Sequence, residues 1–260
     1  MVISLIDSHC HLEQKDFSQD RDMVIEKCRL EGLKAIVTCC AHPRDFDLTM
    51  QIVEKHKGFV FATVGSHPEY VKEVSSDQIE ALIRKIIQNG SKINAVGEAG
   101  LDYYWIREEL WRQKQKEEFA QFIHLAQEVK KPLVVHARDS APDALNFLEQ
   151  EGAERVLMHM FGANHLTKRV VENGWNISLN TIVLRSKRHR KVARDTPLEK
   201  ILLETDSPWL GDSGRRNDPT SIKIVAKEIA EIKKIDLQEV WTACARNAMN
   251  FFGLPISLRL

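Results

Sequence analysis

Hydrophobic residues along this chain gather into short apolar runs separated by stretches of helical period. The runs are Val2, Ile3 and Leu5, then 35–40, 59–65, 94–97, 132–135, 155–158, 175–179 and 200–205. Most are continuous rather than alternating, as expected of strands buried on both faces in a parallel sheet. Between them, apolar residues recur at spacings of three and four. That periodicity predicts helices over 21–31, 44–57, 77–88, 108–129, 143–150, 166–173 and 186–195, with two more over 222–233 and 237–251. Gly152 and Gly174 follow two of them as natural helix stops.

Eight strand–helix alternations predict an α/β fold, the (β/α)8 TIM barrel, as one domain over 1–260; an open doubly wound sheet is the competing layout. The polar residues favour the barrel. His9 and His11, His67, Glu98, His136, His159 and Asp206 fall at the ends of apolar runs on six different strands. An open sheet would string them out in a row. A closed barrel gathers them at its C-terminal mouth, where such folds carry their chemistry.

Composition narrows the setting more than the function. At 260 residues, 43% hydrophobic and 28% charged, the chain is an ordinary globular protein. Lys+Arg and Asp+Glu each number 37, so no overall field attracts a polyanion, and any such binding must use a local patch. The five cysteines, Cys10, Cys28, Cys39, Cys40 and Cys244, form no spaced framework and read as reduced thiols. The first apolar stretch runs directly into Asp7-Ser8-His9, unlike a signal peptide, and no apolar run is long enough to span a bilayer. The expectation is a cytoplasmic protein with no membrane partner.

The chemistry rests on the strand-end set. His9 and His11, two apart on an extended segment, point the same way and can share an ion. Mixed imidazole and carboxylate donors suit Zn, Mn, Co or Fe(II). Six protein donors are too many for one catalytic ion that keeps a position open, but they suit two ions joined by a carboxylate and a bridging hydroxide. In that arrangement Glu98 bridges, His9 and His11 hold one ion, and His136 and His159 hold the other. Asp206 sits on the first ion, where it can orient the attacking water and accept its proton.

Four segments carry a resemblance. Asp7-Ser8-His9-Cys10-His11-Leu12, Gly97-Glu98-Ala99-Gly100-Leu101-Asp102-Tyr103-Tyr104, Val135-His136-Ala137-Arg138-Asp139 and Leu203-Glu204-Thr205-Asp206-Ser207-Pro208 resemble the TatD family of metal-dependent deoxyribonucleases, within the amidohydrolase-like barrels. The likeness runs from the first strand to Asn247. It implies a hydrolase with two divalent metal ions (Zn, Mn, Mg or Co) that trims DNA from the 3′ end, and it implies the ligands His9, His11, Glu98, His136, His159 and Asp206. One segment departs from the family. Many relatives read His-Cys-Phe-Thr/Ser-Gly where this chain has His159-Met160-Phe161-Gly162-Ala163, which keeps the ligand and alters the loop shaping the substrate.

Around the mouth, His67 is a candidate donor to a phosphate oxygen or leaving group, with a plain loop histidine as the alternative. Arg215 and Arg216 are candidates to clamp phosphate, or else to make a salt bridge within their loop. Tyr103, Tyr104 and Trp105 could stack on bases or pack on the rim. The basic run Arg185, Lys187, Arg188, Arg190, Lys191 and Arg194 reads as a solvated helix face whose start faces the mouth. The expected substrate is DNA with single-stranded 3′ ends, and the expected state a monomer. The rival activity is a carbonyl hydrolase on the same site: an amidase, lactonase or aminoacyl-tRNA deacylase. A binding module with a structural metal is a further rival, which the surplus of donors disfavours.

Overall fold

The computed structural model describes residues 5–211 and 214–257. Val2 and Ile3, which open the first apolar run, lie outside the described residues. Eight parallel strands pair in chain order into one sheet. They are β1 Leu5–Cys10, β2 Leu33–Cys40, β3 Val60–Val64, β4 Ala95–Asp102, β5 Leu133–Arg138, β6 Val156–Met158, β7 Asn176–Leu179 and β8 Ile201–Leu203. The helices that alternate with them are α1 Arg21–Leu30, α2 Phe46–Lys55, α3 Ser76–Gln88, α4 Glu109–Glu128, α5 Ala141–Gln150, α6 Thr167–Glu172 and α7 Lys187–Asp195; α8 Ile222–Lys233 and α9 Leu237–Phe252 follow β8. This is the (β/α)8 barrel.

The ring closes through the chain just past β8. The Asp206 amide donates to the His9 carbonyl at 2.9 Å, and the His11 amide to the Ser207 carbonyl at 2.7 Å. Asp7 of β1, fully buried, accepts from the Thr205 amide at 3.0 Å and from the Thr205 hydroxyl. Burial pushes the Asp7 carboxyl well up, although hydrogen bonds from Thr205 and the His9 amide oppose it. Inside the barrel Ile6, Val37, Phe61, Ala95, Val134, Leu157 and Leu202 meet, and Phe251 and Phe252 of α9 pack against that cluster. A larger cluster joins the outer strand faces to the helices. No helix among the described residues is long and apolar enough to cross a membrane. All five cysteines are unpaired and buried.

Two irregularities in the sheet aim the site. In β1, Asp7 pairs with Ile36 and Cys10 with Thr38, so three steps of β1 span two of β2. Strict alternation from the inward Ile6 would turn His9 outward; the extra residue turns it in and sends Cys10 to the outer core. In β4, Val96 pairs with Leu133 and Ala99 with Val135, and this bulge likewise brings Glu98 to the same face as the inward Ala95. Glycine makes the second bulge possible. Gly97 lies at φ +129, and a Cβ there would sit 2.4 Å from the Val134 carbonyl oxygen.

One buried carboxyl lies away from the site. Among the described residues Glu118 on α4 pairs with one cation, Lys114, at 3.5 Å, and burial pushes it up to about 7 despite that cation. The folded chain therefore holds this proton more tightly than the unfolded chain does. The stability it supports is fullest below the unfolded carboxyl range and is lost as pH rises through about 7. Glu118→Gln, neutral at every pH, is expected to be more stable than wild type by about 1–2 kcal/mol at pH ~8 and nearly equal at pH ~5. Urea denaturation at both pH values measures this, and an equal difference at the two would refute the account.

Candidate metal centre at the barrel mouth

The strand ends deliver their polar residues to one place. Glu98 lies at its middle, 1% exposed, with its two carboxylate oxygens facing different groups of histidines. On one side, Glu98 Oε2 is 3.3 Å from His9 Nε2 and 3.9 Å from His11 Nε2. Those two nitrogens are 3.1 Å apart, and Asp206 Oδ1 stands 3.8 Å from the first and 3.5 Å from the second. Four donors sharing one ion at bonds of about 2.1 Å stand about 3.4 Å apart at tetrahedral angles. The observed separations bracket that spacing, so the residues fit a divalent ion.

On the other side, Glu98 Oε1 is 3.0 Å from His136 Nδ1 and 3.6 Å from His159 Nε2. His67 Nε2 is 3.5 Å from the same oxygen. His9 stacks on His159 with ring centroids 3.9 Å apart, which joins the two halves. The donor atoms of His67, Glu98 and His136 lie within 4.8 Å of one another, so the second half also has the donor types for an ion.

The far nitrogen of three histidines is held by an acceptor, which fixes the tautomer. His11 Nδ1 donates to the Cys39 carbonyl at 3.0 Å and to Glu13 at 3.2 Å. His136 Nε2 donates to Asp102 at 2.9 Å, and His159 Nδ1 to Glu204 at 3.0 Å. Each ring thus turns a lone pair toward the centre. His67 is the reverse case. Its Nδ1 accepts from the Glu69 amide at 3.1 Å, so the neutral ring carries its hydrogen on Nε2 and points a donor inward. Burial, aided by the nearby His136, pushes His67 down to about 3 and keeps it neutral.

The electrostatics favour positive charge. Burial alone would raise the Glu98 carboxyl, but the surrounding histidines, His159 first, hold it well below its ordinary range. Burial works against the His136 and His159 cations too. Asp102 and Glu98 nevertheless lift His136 to about 9, and Glu204 and Glu98 lift His159 to about 10. Protons at these positions are what a metal ion would displace. Asp206 closes the set from a left-handed backbone, φ 56, at the mouth side of β8.

Sequence reasoning missed the carboxylates behind the ligands. Asp102 and Glu204 stood within recognised segments without a role, and Glu13 was not singled out. All three are buried, and Glu13 is further tied to Thr38 at 3.0 Å. Trp209, 44% exposed with its ring 4.5 Å from His11, was also missed.

Two residues expected to contact substrate, Arg216 and Tyr103, have partners within the protein. Arg216 grips Asp20 with both terminal nitrogens, at 2.8 and 2.5 Å, donates to the Asp16 carbonyl and lies over Phe17; it ties its loop to the one after β1 and offers no fork to a phosphate. Tyr103 donates its hydroxyl to Asp143 at 2.8 Å, and its ring lies under Arg112, so it packs in the rim. Tyr104 and Trp105 are the exposed rings of that loop. Arg215 is exposed. In the basic run, Arg190 pairs with Glu228 and Arg194 with Asp195, while Arg188 lines a cleft of about 650 Å³ that also includes His136 and His159.

A barrel with imidazole and carboxylate donors converging at its mouth has the arrangement of a metal-dependent hydrolase. Residues 6–253 match the sequence model of the family described as TatD related DNase, and the chain belongs to that family. It is 33% identical over 260 residues to the human protein named Deoxyribonuclease TATDN3, covering 96% of this chain and 95% of that one. It is 31% identical over 258 residues to the uncharacterized metal-dependent hydrolase YabD of Bacillus subtilis, covering 96% and 99%. The solved structure of YjjV, a TatD homolog from Escherichia coli, superposes with a TM-score of 0.90 at 25% identity, over 98% of this chain and 100% of that one. The chain is accordingly a metal-dependent hydrolase acting on ester bonds.

Proposed function

We propose that this chain is a two-metal phosphodiesterase that shortens DNA from single-stranded 3′ ends. The observation that carries the reading is Glu98, whose two oxygens face separate donor sets. His9, His11 and Asp206 would hold one divalent ion, and His136 and His159 the other, with Glu98 shared. When bound, the pair supplies neutralising charge for the phosphoryl oxygens and an acidified water for attack.

The remaining roles belong to the protein's own groups. Asp206, with 10% of its side chain exposed against 2% for Glu98, is the carboxylate substrate and water can reach. It orients the water and takes its proton. Neutral His67 donates from Nε2 to a phosphate oxygen, where charge develops as the bond to the leaving oxygen breaks. Asp102, Glu204 and Glu13 keep the ligand rings oriented. The name of the human relative supports DNA as the substrate. The five unpaired, buried thiols suit a reducing compartment, which supports a cytoplasmic protein.

The test is digestion of 3′-labelled single-stranded DNA by chelator-treated protein after addition of Mg²⁺, Mn²⁺ or Zn²⁺. Metal-dependent shortening from the labelled end is expected. Absence of shortening in protein carrying about two ions per chain would move the reading to a carbonyl hydrolase.

A further inference from the structure

The cleft beside His136 and His159 runs along the ends of β5, β6 and β7 toward α7, and the chemistry above uses only its inner wall. Its outer wall includes Arg138, Tyr104, Met160, His165, Arg188 and His189. Arg138, two residues past His136, is half-buried, and among the described residues it makes no ion pair and no side-chain hydrogen bond. Other arginines of this chain are engaged: Arg216 by Asp20, Arg169 by Glu149, Arg190 by Glu228, and Arg112 and Arg155 by backbone carbonyls.

Arg138 is nonetheless held in place. Its guanidinium lies 3.9 Å from the centre of the Tyr104 ring and 5.6 Å from that of Trp105. Stacking fixes the plane of the cation and leaves its N–H edge for a ligand. A half-buried guanidinium without an anion is poorly compensated, and a phosphate accepting two of its N–H groups would relieve it. Arg188 adds a second positive charge from α7, and among the described residues Asp139 is the one acidic residue of the lining.

The loop after β6 shapes the same cleft in this chain's own way. A Cβ on Gly162 would sit 2.7 Å from the His189 ring, so glycine here lets that ring stand in the wall. His189 is fixed there by Ser186 Oγ, 2.8 Å from its Nδ1. The cleft's volume lies in the range of small-molecule sites, which suits a nucleotide-sized ligand.

We infer that this cleft is a subsite for the nucleotide next to the scissile bond, with Arg138 and Arg188 clamping its phosphate and Tyr104 carrying its base. The assignment rests on the phosphodiesterase reading. It makes the enzyme prefer substrates with a phosphate beyond the one being cleaved. The test compares kcat/KM for a short deoxyoligonucleotide with that for bis(p-nitrophenyl) phosphate, which has no neighbouring phosphate, in wild type, Arg138→Gln and Arg188→Gln. The wild-type ratio is expected to fall about tenfold or more in Arg138→Gln, mainly through KM, with Arg138→Lys recovering part of it. Arg188→Gln is expected to lower it by a smaller factor. An unchanged ratio in Arg138→Gln overturns the subsite, whether both rates fall together or neither falls. Calorimetric binding of thymidine 3′,5′-bisphosphate to metal-free protein separates the two readings. If wild type cleaves neither substrate yet binds the bisphosphate through Arg138, the cleft stands as a nucleotide-phosphate site while the phosphodiesterase reading, and with it the place beside a scissile bond, falls.

Discussion

Asp206→Asn is expected to lower kcat on a phosphodiester by about 10³-fold or more while KM changes by no more than about threefold. The asymmetry follows from the role proposed for Asp206. Its carboxyl is held below the usual range: burial would raise it, but the His11 hydrogen bond and the charges of His159, His11 and His9 prevail. It is therefore ionised and ready to accept a proton, and it is the most exposed carboxylate of the first donor set. An amide of the same shape cannot accept that proton, and it leaves the cleft that binds substrate untouched. Asparagine is the informative replacement because Asp206 sits at φ 56, a left-handed conformation that asparagine tolerates and alanine strains. Steady-state kinetics with metal analysis of the same preparation checks the result. A loss of less than about tenfold, with full metal content, would mean that another group takes the proton.

The position of Asp206 could be read early, and its surroundings could not. An apolar run ending in an acid before Ser207-Pro208 is visible in a linear chain, because parallel strands buried on both faces are continuous apolar runs with abrupt ends. The same holds for His67, His136 and His159. The boundaries of α1, α3, α4, α8 and α9 also follow from the apolar period, and they agree with 21–31, 77–88, 108–129, 222–233 and 237–251 to within a residue or so at each end.

What stayed hidden depends on partners far away in sequence. The segment from Glu98 to Asp102 is rich in glycine and acids and reads as a loop, yet it is strand, because pairing of Ala99–Asp102 with Val135–Arg138 overrides local preference. The bulges that turn His9 and Glu98 inward are counts of residues between two strands, which no single strand records. Arg216 binds Asp20 in the loop after the neighbouring strand β1, 196 positions away in the chain, so a residue resembling a phosphate clamp has its partner within the fold. Conversely, Arg138 stood in a recognised segment without a role, and its half-burial with neither an ion pair nor a side-chain hydrogen bond among the described residues singles it out.

Glu98→Gln is expected to abolish activity, by about 10⁴-fold or more, and to reduce metal content from about two ions per chain to no more than one. Five histidine nitrogens lie within 3.0–3.9 Å of the Glu98 oxygens, on two sides. An amide nitrogen has no lone pair for a metal, so glutamine can serve one side at best. The loss also reaches the histidines. His136 owes its rise to Asp102 and then to Glu98, and with that charge gone it should titrate lower in the metal-free protein. NMR titration of the imidazole protons reads that shift independently of catalysis. Thermal unfolding of the metal-free forms then separates a lost ligand from a lost fold, because a neutral isostere keeps the packing at this position. Retention of two ions by Glu98→Gln would show that the histidines and Asp206 suffice, and that Glu98 is not the shared ligand.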